Sequence, residues 1–225
     1  MIPGDLSRIS LFAGLNETEL QCVDRLSAHR YHNKNEMIIF EGEPESRFSV
    51  LLQGRVKISR FTEEGKEAIY SFLGEGEFFG ESCVFQNQVW ASSVVSLEPV
   101  HTMNIYRDDL LKMMQQIPLL NINLLREMTV RLRRRNAQIK SLTTHNATGK
   151  VASTLLRLVD DLGISGAGRI EIENLPTHRD IANMIGTSRE TISRVMRNLK
   201  QRGYIRKENG RLIICDYQRF RRAFN

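Results

Sequence analysis

The sequence predicts an α+β protein in three parts: an N-terminal antiparallel β-roll over residues 1–112, a long helix over 113–146, and a C-terminal winged helix-turn-helix over 147–225. Three observations carry this reading. Short β-prone runs separated by glycines fill the stretch from Met37 to Ile105; apolar residues at alternating three and four spacing follow Pro118, with no Gly or Pro before Gly149; and two amphipathic segments joined at Gly186 precede two strand-like runs around Asn209-Gly210. The 225 residues, 41% hydrophobic and 26% charged, have the composition of a soluble globular chain, and no run approaches the ~20 apolar residues of a membrane span. Met1 to Asp5 lacks the basic and apolar regions of a signal peptide, so the expected compartment is the cytoplasm.

In the first part, Asn16 followed by Glu19 has the spacing of a reciprocal helix cap, which starts a short helix there. Strands are predicted at Met37 to Phe40, Phe48 to Leu52, Val56 to Arg60, Glu67 to Phe72 and Val100 to Ile105, giving a roll from about 36 to 106. His101, Met103 and Ile105 share one face of the last strand in the alternating pattern. The turn Gly74-Glu75-Gly76-Glu77-Phe78-Phe79-Gly80-Glu81-Ser82 is the chemical centre of this part. Its glycines let backbone approach a ligand, and consecutive amides there can cradle an anion, although a glycine-rich turn also serves simply as a turn.

The helix places Leu125, Met128, Leu132, Ile139 and Leu142 on a coiled-coil seam. About 25 residues at about 1.5 Å rise span roughly 38 Å, more than one small domain needs for its own core, so a homodimer is expected. Arg135 interrupts the seam. Two such arginines facing each other either snorkel to water or are neutralised by an anionic effector or a carboxylate.

In the third part, Ile181, Ile185, Ile192, Val195 and Leu199 fall on the inner faces of two crossing helices, Ala182 allows close approach and Gly186 the turn between them. Thr177 is the expected cap of the first helix, and Thr187 or Ser188 of the second. Arg189, Glu190, Ser193 and Arg194 project from the start of the second helix. An arginine can take guanine O6 and N7 with two bonds, and a glutamate can accept from cytosine N4. Thr177, His178, Thr187, Ser188 and Arg197 suit phosphate contacts, which position without specifying. Double-stranded DNA is the expected partner. Charge agrees: residues 1–110 hold 10 Lys and Arg against 17 Asp and Glu, whereas residues 111–145 hold 7 against 1 and residues 146–225 hold 15 against 8.

The roll, the Phe79-Gly80-Glu81 turn, the long helix and the Ser-Arg-Glu-Thr…Ser-Arg helix at 188–194 together resemble the bacterial cyclic-AMP receptor and fumarate-nitrate regulator (CRP/FNR) family over nearly the whole chain. The resemblance implies a cyclic-nucleotide-binding-like roll and a small-molecule effector held by Phe79, Gly80, Glu81, Ser82, Cys83, Trp90, Ala91, Arg131, Arg135 and Asn136. In members that bind cyclic AMP, a Gly-Glu pair matching Gly80 and Glu81 holds the ribose and an Arg-Ser pair holds the cyclic phosphate. Here Trp90-Ala91 stands at the second pair, after a loop one residue shorter. A buried phosphate without its cation costs on the order of several kcal/mol, so cyclic AMP is not the expected ligand. Arg135 and Asn136 match positions that meet the adenine, and Arg131 matches an arginine that contacts the turn's glutamate, here Glu81.

Haem-sensing members make His101 a candidate haem ligand, against the ordinary reading of a core histidine. Oxygen-sensing members carry an N-terminal cysteine cluster; only Cys22 lies in that region, so no iron–sulfur cluster and no other metal is expected. Cys83, beside the turn, is either a redox-sensitive thiol or simply buried. The family also implies palindromic sites with TGTGA-like or TTGA-like half-sites, and activation through RNA polymerase by way of a loop at Gly163 to Arg169. An enzyme is not expected, because the roll has no nucleophile–base set or paired metal ligands. A ligand-binding adaptor without DNA function runs against the C-terminal helix pair.

Overall fold

The computed structural model describes residues 6–44, 46–144, 146–166, 169–172, 175–208 and 210–224. The chain divides into two units, Met1–Lys66 with Tyr70–Arg133, and Arg134–Asn225 with Glu67–Ile69.

The first unit begins with a 3-10 turn, Ser10–Phe12, and helix α1, Glu17–Arg25. The Asn16 side chain accepts the Glu19 N–H at 2.9 Å and Glu19 accepts the Asn16 N–H at 2.8 Å, the reciprocal cap expected from their spacing. Eight strands follow: β1 (Ser27–His32), β2 (Met37–Ile39), β3 (Arg47–Gln53), β4 (Val56–Phe61), β5 (Glu67–Leu73), β6 (Phe78–Phe79), β7 (Ser93–Ser96) and β8 (Val100–Tyr106). They form two sheets, β1-β8-β3-β6 and β2-β7-β4-β5. Short helix α2 (Glu81–Gln86) lies between β6 and β7, and α3 (Arg107–Gln116) and α4 (Pro118–Thr144) follow β8, α4 belonging to the second unit from Arg134 onward.

The apolar pattern does not announce β1, β7 or α3. Strand β1, Ser-Ala-His-Arg-Tyr-His, is a sheet edge bonded only to β8 and largely exposed, so it needs no hydrophobic alternation. In β7 the Ser93 and Ser96 hydroxyls accept the N–H groups of Glu41 and Glu36 instead of packing as apolar side chains would. Strand β8 departs from simple alternation: flanked by β1 and β3, it buries every residue from Val100 to Ile105. One of its faces joins Phe48, Val50, Phe78, Met103 and Ile105 to α1 and α3 through Val23, Leu110 and Met113. The other faces the roll's own interior, where Ile39, Leu51, Val56, Leu73, Phe79, Cys83, Trp90, Val94 and Val100 form a second cluster. Burying each of these large side chains is worth roughly 1.5–3 kcal/mol.

Buried Ser49 of β3 and Thr102 and Asn104 of β8 form a chain of hydrogen bonds. The Ser49 hydroxyl donates to Asn104 Oδ1 at 2.7 Å, and Asn104 Nδ2 donates to Thr102 Oγ1 at 3.2 Å. Thr102 Oγ1 lies 3.3 Å from His32 Nε2, and His32 Nδ1 lies 2.8 Å from Glu36. Ser49, Thr102 and Asn104 are buried, where an unmade bond would cost about 1–3 kcal/mol.

The second unit contains α5 (Ala147–Leu162), β9 (Gly163–Gly166), β10 (Arg169–Ile172), α6 (His178–Ile185), α7 (Arg189–Gln201), β11 (Ile205–Glu208), β12 (Arg211–Ile214) and α8 (Tyr217–Phe224). Ile181, Ile185, Ile192, Val195 and Leu199 are all buried, as their spacing predicts, along with Val151, Leu155 and Leu158 of α5. Gly186 takes a φ of +64° to end α6, a conformation other residues adopt only at a cost. The sheet order is β11-β12-β10-β9. Strands β11 and β12 pair as the expected wing hairpin, with Gly210 at φ +80°, while Asn209 lies outside the described residues. Gly163 to Arg169, read from sequence as a loop, is instead largely the antiparallel hairpin β9–β10, with 167–168 outside the described residues. Small residues at 163, 165 and 166 gave that strand no apolar signature.

Candidate nucleic-acid interface and effector site

Two caps set the helix pair. Thr177 and Asp180 close a reciprocal cap on α6, with the Asp180 N–H donating to Thr177 Oγ1 at 3.1 Å. Ser188, not Thr187, caps α7, accepting the Thr191 N–H at 3.2 Å. Thr187 instead donates its N–H to the Ala182 carbonyl at 3.1 Å, closing the end of α6. From this frame Arg189, Glu190, Arg194 and Arg197 are exposed at one helix face, with Thr177 and Ser188 exposed nearby in sequence. Glu190 is held below the usual carboxylate range by its own backbone N–H, then by the Ser188 hydroxyl and Arg189. It therefore stays an acceptor at neutral pH.

Ser193 and His178 are half-buried and meet: His178 Nδ1 lies 2.9 Å from Ser193 Oγ. Burial, then the charges of Arg189 and Lys207, push the His178 imidazole below its ordinary value. The proximity of Lys207, on the wing strand β11, has no signal in the local sequence around His178, because tertiary folding alone brings them together.

In the first unit the turn after β5 is held to β3, with the Gly76 N–H donating to the Leu51 carbonyl and the Leu51 N–H to that of Glu77, both at 2.8 Å. Gly80 then takes a φ of +99°, and a Cβ built there would lie 2.2 Å from the Arg47 carbonyl oxygen and 2.8 Å from the Trp90 indole. No other residue fits. Phe79, Cys83 and Trp90 are buried, Glu81 is half-buried, and Ser82 and Ala91 are exposed. The Trp90 indole packs 6.1 Å from the Phe79 ring, and its backbone is zipped to the loop at 42–43 by Gly42 N–H to Trp90 O at 2.7 Å and Trp90 N–H to Glu43 O at 3.0 Å. Arg131 donates to the Phe78 carbonyl at 2.6 Å, lies 3.5 Å from a Glu81 oxygen, and stacks 3.8 Å over the Phe78 ring. Arg135 and Asn136 fall in the second unit, both exposed, and Arg135 donates to Gln138 at 3.4 Å.

The resemblance matches Trp90-Ala91 to the pair that holds the cyclic phosphate in cyclic-AMP-binding members. At the matching pair, a buried indole and an exposed alanine offer no cation. His101 is engaged within its own sheet: its Nε2 lies 3.0 Å from His29 Nδ1 and its ring stacks 4.1 Å from Tyr31. Burial pushes the Cys83 thiol up, away from a reactive thiolate. Among the described residues, no three His, Cys, Asp or Glu side chains converge as metal ligands, and no helix is long and apolar enough to cross a membrane.

A capped helix pair with an arginine- and glutamate-bearing outer face, following a separate β-roll, defines a helix-turn-helix DNA-binding protein with a second domain of the ligand-sensing kind. Comparison with known proteins agrees: the cyclic nucleotide-binding domain matches residues 29–117 and the Crp-like helix-turn-helix domain residues 149–223. The chain belongs to the CRP/FNR family of transcription regulators. It is 29% identical to a CRP-like cAMP-activated global transcriptional regulator of Mycobacterium tuberculosis, over 96% of this chain and 97% of that one. It is also 29% identical to the cyclic AMP receptor protein of Thermus thermophilus, over 91% of each. In fold it matches FixK2 from Bradyrhizobium japonicum, with a TM-score of 0.75 at 21% identity over 87% of this chain and 96% of that one.

Proposed function

We propose that the protein is a homodimeric, cytoplasmic, effector-regulated transcription regulator, mainly an activator, that reads palindromic DNA with TGTGA-like or TTGA-like half-sites and answers to a ligand other than cyclic AMP. Residues 1–112 form the sensing domain, 113–146 the dimerisation helix and 147–225 the DNA reader. The observation that carries sequence-specific reading is the outer face of α7, where Arg189, Glu190 and Arg194 are exposed beyond a Ser188 cap. Thr177, His178, Thr187, Ser188 and Arg197 hold phosphates around it. Dimerisation is supported by α4, on which Leu125, Leu132 and Ile139 recur every seven residues at 66%, 61% and 60% exposure.

The effector site of the first unit is built on Phe79, Gly80, Glu81, Ser82, Cys83, Trp90, Ala91 and Arg131; the family resemblance adds Arg135 and Asn136. Trp90 in place of a cation supports a ligand without a buried phosphate, and relatives carry names as different as cAMP-activated regulator and global nitrogen regulator. Activation proceeds through RNA polymerase contact at Gly163–Arg169, a reading that rests on the family. The effector must bind the DNA-competent arrangement more tightly than the other, since equal affinity shifts nothing.

Gel-shift titration tests the reading. Glu190→Ala and Arg194→Ala should each lower discrimination between specific and random duplex by about 1–3 kcal/mol; specific binding that survives both would overturn it. Calorimetry should show no cyclic AMP binding at micromolar concentration, and mass spectrometry of the purified protein would identify a retained organic acid or nucleotide.

A further inference from the structure

We propose that His178 is a positioning residue that sets whether Ser193 acts as donor or acceptor toward a base edge, so that a backbone contact and a base contact are chemically linked. This rests on the reading of α7 as the DNA-reading helix. Ser193 lies on α7 one turn after Arg189 and Glu190, and a serine there ordinarily turns its hydroxyl back to the carbonyl four residues earlier. In this protein the Ser193 hydroxyl instead lies 2.9 Å from His178 Nδ1, on the first residue of α6. One hydroxyl proton and one imidazole proton must therefore be shared out between two partners and the groove.

The groups around the ring fix how. Burial, then the charges of Arg189 on α7 and Lys207 on β11, lowers the His178 pKa, so the imidazole is neutral at pH 7 and carries a single ring proton. With that proton on Nδ1, it is donated to Ser193 Oγ, and the serine hydroxyl turns outward as a donor suited to guanine O6 or N7 or thymine O4. With the proton on Nε2, Nδ1 accepts from the serine hydroxyl, and Ser193 presents only lone pairs. It then suits the amino groups of adenine N6 or cytosine N4. A DNA phosphate drawn to the cations Arg189 and Lys207 favours the second state, because only that tautomer offers the phosphate an imidazole N–H. So long as the imidazole stays neutral beside the phosphate, Ser193 bound to DNA is an acceptor, and its base is adenine or cytosine.

Selection of random duplexes by the full-length chain, run with and without candidate effectors, would give the preferred half-site. Ser193→Ala then identifies the base position that depends on this serine, expected as adenine or cytosine. His178→Phe keeps the ring volume but removes both nitrogens; it should lower preference at that one position roughly 3- to 10-fold and leave the others unchanged. His178→Arg, a donor only, should move the preference there toward guanine or thymine. A guanine or thymine at that position in the wild-type selection, an unchanged preference in both His178 variants whose melting is intact, or an equal loss at all positions would each overturn the linkage. A wild-type chain that enriches no sequence would overturn the DNA reading itself.

Discussion

At the scale of single residues, two positions carry sharp expectations. Gly80 combines a φ of +99° with a Cβ direction that ends 2.2 Å from backbone oxygen. Gly80→Ala should therefore destabilise the roll by at least about 2 kcal/mol in urea unfolding, more than a surface glycine such as Gly65, which has open space. His101 is a pH sensor of stability, since burial, then the neighbouring His29, lowers its pKa. A depressed histidine binds its proton less readily folded than unfolded. The stability it contributes is full above the unfolded value of about 6.5 and is lost as pH falls through that value toward the folded one. Urea midpoints measured from pH 8 to pH 5 should fall below about pH 6.5, and His101→Asn should flatten that fall without abolishing it, because His178 shifts in the same direction.

At the scale of elements, the pair α6 and α7 was the most legible, because each signal was local: Thr177, Gly186, Thr187 or Ser188, and an inner row of Ile, Val and Leu. Removing one such signal should have a local cost. Ser188→Ala removes the cap on α7 and should cost about 1 kcal/mol, read as a melting temperature lower by roughly 2–4 °C. Where the signal was not local, the sequence was mute. Strand β1 is recognisable only from its partner β8, β7 spends its serines on backbone N–H groups, and α3 begins at Arg107 with no side-chain cap. The candidate sites divide in the same way. Gly80, Glu81 and the outer face of α7 are legible as motifs. That Trp90 packs on Gly80, or that His178 meets Ser193, depends on strands and helices distant in sequence.

At the scale of the whole molecule, the exposed Leu125, Leu132 and Ile139 of α4 bear on the proposed association. If they form the dimer seam, Leu132→Glu should give a monomer in sedimentation, and the wild-type melting temperature should rise with protein concentration while the variant's does not. Charge is divided just as unevenly, acidic through residue 110 and basic beyond. DNA affinity should fall steeply with salt, and Arg197→Ala should reduce the slope of log affinity against log salt by about one. The buried chain from Ser49 through Asn104 and Thr102 to His32 bears on the protein's history rather than its present function. Making Ser49 or Asn104 apolar leaves the other buried without that partner, whereas exchanging both together removes both polar groups. Change at Ser49 and Asn104 is therefore expected in pairs rather than singly.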